Sequence, residues 1–368
     1  MKLKCDGLAL SEAIFKVIKA IPIKKNNSVL EGIKLKAQDD YLTLTATDLE
    51  LTITKRITAD IKIEGEVLIN GKFFSEFVKS ISHKEIDLEC TDSDVLRIGY
   101  GENKSDVKCM NLSDYPLIDN VVAVNTLEIQ KDEFKDLIYK TNFSASVEDG
   151  RPILKGCLFE LNGKELTVVS LDGYRLSLAR KELISSDAEN KKFVIPARSL
   201  NEIVKFADEA EDTIKLVFDK DKLLVNINNT VVISRLITSE FINYRNIITT
   251  AFNTKVTFNK KEFYDSIYRA TIMTKTGKNN LVKLDVKDNC ILIEANSDFG
   301  VVNETIPASV EGKETIICFN GKYLLDFLSV IDEEFISMNI KTNNAPCIFT
   351  QVEGNDYLFL VLPMKVTY

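Results

Sequence analysis

"GEVLINGKFFSEFVKSI", residues 65–81, reads as a short apolar strand that passes through Asn-Gly into an amphipathic helix. The same order returns in "KKFVIPARSLNEIVKFA" (191–207) and in "ETIICFNGKYLLDFLSVI" (314–331). The helical parts open at Lys72, Arg198 and Lys322. That is a period of about 125 residues, far longer than the roughly 20–50 of a solenoid unit. A second helix-like segment precedes each of these: "LSEAIFKVIKAI" (10–21), "KDEFKDLIYKTNFSAS" (131–146) and "KKEFYDSIYRATIMTK" (260–275). Paired strands with turn signals lie between the two helices of each copy, as in "GCLFELNGKELTVVSLDGYRLSLA". The 368 residues therefore divide into three tandem copies of one domain, expected at 1–122, 123–249 and 250–368.

The strands alternate. "YLTLTATDLELTI" places Leu42, Leu44 and Ala46 on one face, the pattern of a half-buried antiparallel sheet. In the first helix Leu10, Ile14, Val17, Ile18 and Ile21 form one apolar stripe. Each copy is expected to be an antiparallel sheet layer backed by two helices, an α+β arrangement.

Composition narrows the chemistry. Apolar residues make up 45% and charged residues 28%, as in proteins with real cores. No apolar run approaches the roughly 18 residues of a membrane span, and the N-terminus lacks a signal-peptide core, so a cytoplasmic location is expected. Seven cysteines are scattered without a C-x-x-C pair, and His83 is the one histidine. Such a set does not build a zinc site and reads as reduced, mostly buried thiols. A Cys–His catalytic pair could use only His83, in the helix-to-strand turn "SISHKEIDL". There is no phosphate-binding G-x-x-x-x-G-K-[ST] loop and no G-x-S-x-G elbow, and "GYGEN" (99–103) is too short for a dinucleotide fingerprint. No catalytic residue, metal or cofactor is assigned. Asp48 and Glu50, two apart on an expected strand, leave a carboxylate enzyme as the alternative class.

The net charge of −8 argues against nucleic acid only if basic residues are not gathered on one surface. At 100° per residue, Lys16, Lys19, Lys72, Lys79, Lys140, Lys205, Lys261, Arg269 and Lys322 fall away from the apolar stripes. Glu12, Asp136, Glu202, Asp265 and Asp326 fall there too, so for any one helix an ordinary solvated face is the plainer reading. Lys24, Lys25, Arg151 and Lys275 lie just beyond the helices. Nothing in these segments reads base edges, which leaves sequence-independent contact with phosphates.

The three copies, with "LTATDLEL" (44–51), "GRPILKGCLFEL" (150–161), "VSLDGYRLSLAR" (169–180), "FNGKYLLDFL" (319–328) and "VLPMKV" (361–366), resemble the bacterial DNA polymerase III beta subunit family along essentially the whole chain. The resemblance implies a non-catalytic processivity factor, a head-to-tail homodimer whose helices line a hole around duplex DNA. Lys16, Lys19, Lys24, Lys25, Lys72, Lys79, Lys140, Arg151, Arg198, Lys205, Arg269, Lys275 and Lys322 would then face DNA. At the dimer contact, Phe73, Phe74, Phe77 and Ile81 would meet Ile272 and Met273. Lys104 and Lys108 would meet Asp298 and Glu304. Each of these is as readily plain core or surface.

The resemblance also makes "LDGYRL" part of a peptide pocket between the second and third domains, where the polymerase, the clamp loader and repair proteins insert short linear motifs. It would comprise Leu154, Leu171, Gly173, Tyr174, Arg175, Leu176, Ile242 and Ile247. From the third domain come Asn320, Tyr323, Pro346, Leu360, Val361, Leu362, Pro363 and Met364. The chain departs from the family pattern at Tyr174 (commonly His), Leu171 (Thr), Ile242 (Pro) and Asn246 (often basic). It carries Pro152 and Ile153 where some members have two tyrosines, and Thr367 and Tyr368 run past the usual end. A clamp-like scaffold, or a paralogue that no longer serves the replicative polymerase, is the further alternative.

Overall fold

The structure, a computed structural model, describes the chain except for residues 23–27, 91–93, 119–120, 149, 189, 275–279 and 366–368. Lys24, Lys25, Lys275, Thr367 and Tyr368 lie outside the described residues. Six α-helices are present among the described residues: α1 (Gly7–Val17), α2 (Gly71–Ile81), α3 (Lys131–Asn142), α4 (Ala197–Ala207), α5 (Lys260–Thr274) and α6 (Gly321–Leu328). They match the two expected segments of each copy. None is long and apolar enough to cross a membrane.

Local chemistry sets their ends. Asp6 caps α1 by accepting from Ala9 N at 2.8 Å, and Asn70 caps α2 by accepting from Phe73 N at 3.0 Å. Asn320 caps α6 in the same way, accepting from Lys322 N at 3.0 Å. The first helix stops earlier than its apolar stripe. After Val17 one 3-10 turn covers Ile18–Ala20, and Ile21 is extended with ψ 136° because Pro22 follows it. Ile18 and Ile21 are consequently only half-buried.

All strand pairs among the described residues are antiparallel, and they join into three sheets, of which the two larger run across the copies. One compact unit consists of 1–131, 185–187 and 201–236. It holds a five-stranded sheet with Asn103–Lys108 as one edge. It also holds a nine-stranded sheet in which Leu51–Thr58 of the first copy pairs with Thr230–Arg235 of the second. Helix α1 lies across Tyr41–Thr47 and Leu51–Thr58 with α2 beside it. The other unit consists of 132–184, 188–200 and 237–368 and holds a twelve-stranded sheet. There Arg175–Glu182 pairs with Tyr357–Val361, and α5 packs on Cys290–Ser297 with α6 alongside. Among the described residues no sheet closes on itself.

Alternation understated the burial. Leu42, Leu44 and Ala46 are buried as expected, but Thr45 and Thr47 on the other face are buried too. Their hydroxyls pair across the hairpin with Thr54 at 3.2 Å and Thr52 at 2.7 Å, and the Tyr115 hydroxyl donates to Thr45 O at 3.3 Å. Asp48 and Glu50 are not strand neighbours. They sit in the turn between Tyr41–Thr47 and Leu51–Thr58, where Asp48 Oδ1 accepts from Glu50 N at 3.1 Å and Leu51 N at 2.8 Å. This overturns the paired-carboxylate expectation, since Asp48 is a turn former.

Candidate functional site

The hairpin 171–176 repeats that turn in the second copy. Asp172 Oδ1 accepts from Tyr174 N at 2.9 Å and from Arg175 N at 3.0 Å. Gly173 adopts φ +97°, a conformation that a side chain would strain. Asp172 Oδ2 then receives Arg175 Nε at 3.0 Å. The guanidinium also donates to Asp326 on α6 at 2.6 Å and to Phe143 O at 2.9 Å, and it stacks 4.4 Å over the Tyr323 ring. Tyr174, largely exposed, lies near-parallel to Tyr323 with ring centroids 6.4 Å apart. Burial, with Asp172 next, raises the Tyr323 phenol above its ordinary pKa. One arginine thus joins the hairpin, the end of α3 and α6.

The tail completes this arrangement. Leu362 N donates to Tyr174 O at 2.8 Å, and Met364 N donates to Cys318 O at 2.7 Å. Leu154, Leu171, Leu176 and Leu360 are buried in one apolar cluster with Tyr244 and Ile348. Ile242, Ile247 and Leu362 pack half-buried against it. The result is a buried leucine floor under an exposed tyrosine and half-exposed aliphatic side chains, suited to an extended apolar segment. Pro363 and Met364 are half-buried along the tail. Asn320 is the α6 cap, and Pro346 precedes Cys347–Gln351, whose Ile348 enters the cluster. Val361 does not belong to the floor. It alternates with Leu360 and Leu362, so its side chain points to the opposite face of the strand.

A second charged group holds the rim. Glu160 receives the Tyr244 hydroxyl at 2.6 Å, both Arg245 terminal nitrogens at 3.1 and 2.5 Å, and Lys192 Nζ at 3.0 Å. Burial alone would raise the Glu160 carboxyl, but these donors outweigh it and hold the pKa down at about 2. The 3-10 turn Tyr244–Asn246, flanked by Ile242 and Ile247, is therefore pinned to the sheet. Neither Glu160 nor the Arg175–Asp326 pair was anticipated. Tyr244 lies 84 residues from Glu160 and Asp326 lies 151 from Arg175, and no local pattern marks them.

The expected basic set divides. Lys72, Lys79, Arg151, Arg198, Lys205 and Lys322 are exposed. Lys16, Lys140 and Arg269 are not open cations, and the exposed Lys205 is itself paired with Glu202 at 2.7 Å. Lys16 pairs with Glu209, Lys140 with Asp136 at 2.9 Å, and Arg269 with Glu304. The Lys16 and Lys140 side chains are only 17% and 12% exposed. Lys19 lies half-buried, 4.4 Å over the Phe15 ring. The phase of each first helix, set by Leu10, Phe134 and Phe263, points Phe15, Tyr139 and Tyr268 outward instead.

The expected dimer set divides as well. Phe74 and Ile81 belong to the core, because they share the buried face of α2 with Val78. Phe73 and Ile272 are exposed, while Phe77 and Met273 are half-buried. Lys104 and Lys108 are exposed on the edge strand Asn103–Lys108, and Asp298 is exposed. Glu304 already holds Arg269 within the chain. The strand that carries it, Gly300–Gly312, pairs with Cys290–Ser297 along 300–307 but with Thr254–Asn259 only along 308–312. Among the described residues its first half therefore keeps one edge unpaired.

Residues 1–119, 128–243 and 245–365 match the N-terminal, central and C-terminal domains of the DNA polymerase III beta subunit. The chain is 28% identical to the beta sliding clamp of Bacillus subtilis over 376 residues, 99% of this chain and 100% of that one. It is 27% identical to that of Staphylococcus epidermidis over 95% of both. The crystal structure of the Bacillus subtilis sliding clamp superposes with a TM-score of 0.95 at 28% identity over all of both chains. That of the Thermotoga maritima DNA polymerase III beta subunit gives 0.91 at 26%, again over both chains in full. The chain belongs to the bacterial DNA polymerase III beta subunit family, the beta sliding clamps, and is a non-catalytic processivity factor.

Proposed function

We propose that two copies close head to tail into a ring around duplex DNA and that the 171–176 hairpin site receives short linear segments of the polymerase and of other replication and repair proteins. In this reading the domains are 1–122, 123–249 and 250–368, and the first of one copy meets the third of the other. The observation that carries it is a pair of unsatisfied strand edges, Asn103–Lys108 and 300–307. An unpaired edge invites strand addition, and closing a ring removes it. Charge supports the match: Lys104 and Lys108 are exposed on one edge, and Asp298 is exposed beside the other. Phe73 and Phe77, stacked at 5.8 Å, and Ile272 supply apolar surface. The exposed cations of α2, α4 and α6 fit sequence-independent contact with phosphates, which lets a ring slide.

The test is mass in solution. Sedimentation equilibrium is expected to give twice the 41.5 kDa chain. Lys104→Glu together with Lys108→Glu should give 41.5 kDa, and adding Asp298→Lys should restore the dimer. A wild-type monomer, or a dimer indifferent to these charges, would contradict the reading.

A further inference from the structure

The triplet Asn-Gly-Lys stands at 70–72, 162–164 and 320–322, and the fold treats the three differently. Asn-Gly is the dipeptide in which a backbone amide nitrogen most readily attacks the preceding side-chain amide, because glycine has no side chain to block the approach. The attack needs an unengaged Asn side chain, an unengaged Gly N–H and a backbone free to swing between them.

Two of the triplets are closed to it. Asn70 and Asn320 cap α2 and α6, and each Oδ1 accepts a backbone N–H at 3.0 Å. Gly71 and Gly321 are buried at the helix starts. A Cβ on Gly71 would stand 2.3 Å from Ile21 Cδ1, and one on Gly321 would stand 2.5 Å from Thr271 Oγ1, so neither backbone has room to turn. Gly321 N also donates to Asn280 O at 2.8 Å.

The triplet at 162–164 has none of these restraints. Asn162 and Gly163 are exposed, where Gly156–Asn162 turns into Glu165–Leu171. The last ladder pair is Asn162 with Glu165, which leaves Gly163 outside the ladder. Gly163 takes φ +61°, and beyond its chain neighbours nothing lies within 4 Å of the place a Cβ would take. The Asn162 side chain has no hydrogen-bond partner among the described residues. It shares a strand face with Glu160, and the two line a cavity of about 290 Å³ with Lys192 and Arg245.

We propose that Asn162 is a modification site that deamidates spontaneously in the folded protein, while the fold protects Asn70 and Asn320. Gly163 N bonds to Asn162 Cγ as the Cγ–Nδ2 bond breaks, and ammonia leaves with the proton that Gly163 N gives up. Water then opens the five-membered imide at either carbonyl and yields aspartate or isoaspartate. The step needs no oxidant or metal. Either product sets a carboxylate beside Glu160 and its cations Lys192 and Arg245, and isoaspartate also inserts a methylene into the main chain at the strand end.

Trypsin releases each triplet at the end of its own peptide, "IEGEVLINGK" (63–72), "GCLFELNGK" (156–164) and "ETIICFNGK" (314–322). The full-length protein is held folded at mildly alkaline pH beside a sample in urea, and both are digested at intervals and weighed by mass spectrometry against a digest at time zero. The mass gain of the amide-to-acid change should proceed at comparable rates folded and in urea for 156–164. For 63–72 and 314–322 the folded rate should be about tenfold or more below the urea rate, because there the attack waits on opening of a helix start. Asn162→Gln should remove the gain at 156–164 and leave the other two peptides as they were. Equal protection of all three peptides in the folded protein, or a folded sample in which 156–164 stays unchanged while urea converts it, would overturn the proposal.

Discussion

Each copy's first helix points an aromatic ring outward and ties up the basic residue that follows it. Phe15, Tyr139 and Tyr268 are 64%, 55% and 51% exposed, while Lys16, Lys140 and Arg269 are held by Glu209, Asp136 and Glu304. Each second helix presents its first basic residue at the surface. Lys72, Arg198 and Lys322 occupy the same position, just inside the helix start, and all three are exposed. The two helices of a copy offer different surfaces. The difference is one of exposure for Lys16 and Lys140, whose side chains are only 17% and 12% exposed, whereas Arg269 remains 53% exposed although Glu304 holds it.

Charge removal separates the two sets most strongly. Replacing Lys72, Arg198 and Lys322 by Ala should weaken DNA binding and flatten its dependence on salt. The log–log slope should fall by about one for each phosphate that is no longer neutralised. The matched triple at Lys16, Lys140 and Arg269 should leave that slope nearly unchanged and lower the urea midpoint instead. Equal loss of slope in both triples would erase the distinction.

The hairpin sharpens the same rule, since Arg175 is a cation held by two carboxylates, Asp172 and Asp326. Arg175→Ala strands Asp172 and Asp326 and should destabilise the protein by about 3 kcal/mol in urea unfolding. A change near zero would mean that the three partners are satisfied elsewhere. Glu160 gives a smaller effect with a pH signature. Its pKa lies below the ordinary carboxylate value, so its stabilisation is complete above about 4.5 and fades as pH falls toward about 2. Glu160→Gln should cost about 2 kcal/mol at neutral pH and less at pH 3, narrowing the gap to wild type as acid is added. A gap constant with pH would show that the carboxylate charge is not what holds Tyr244 and Arg245.

Much of this was legible in the residues. The threefold repeat located both helices of every copy, because amphipathic phase and Asn-Gly signals are local. The Asp-Gly pair at 172–173 marked a turn for the same reason. What stayed hidden depends on distance along the chain. Lys16 meets Glu209 across 193 positions, and no helical wheel shows that a lysine near the polar face is already engaged. The strand union of 51–58 with 230–235 is equally non-local, and so is the contact of Tyr115 with Thr45, one of the threonines that alternation alone leaves open. Nothing in "TDLEL" announces that Leu49 adopts a left-handed backbone, and the kinship of the two hairpins surfaced only through their hydrogen bonds.

Encirclement is the claim on which the roles of both helix sets depend, and retention on DNA of different topology measures it directly. Protein loaded on a nicked circle is expected to stay through a high-salt wash and to leave promptly once a single cut linearises the DNA. Departure at the same rate from circle and linear duplex would contradict a closed ring and reduce the exposed lysines to ordinary surface charge.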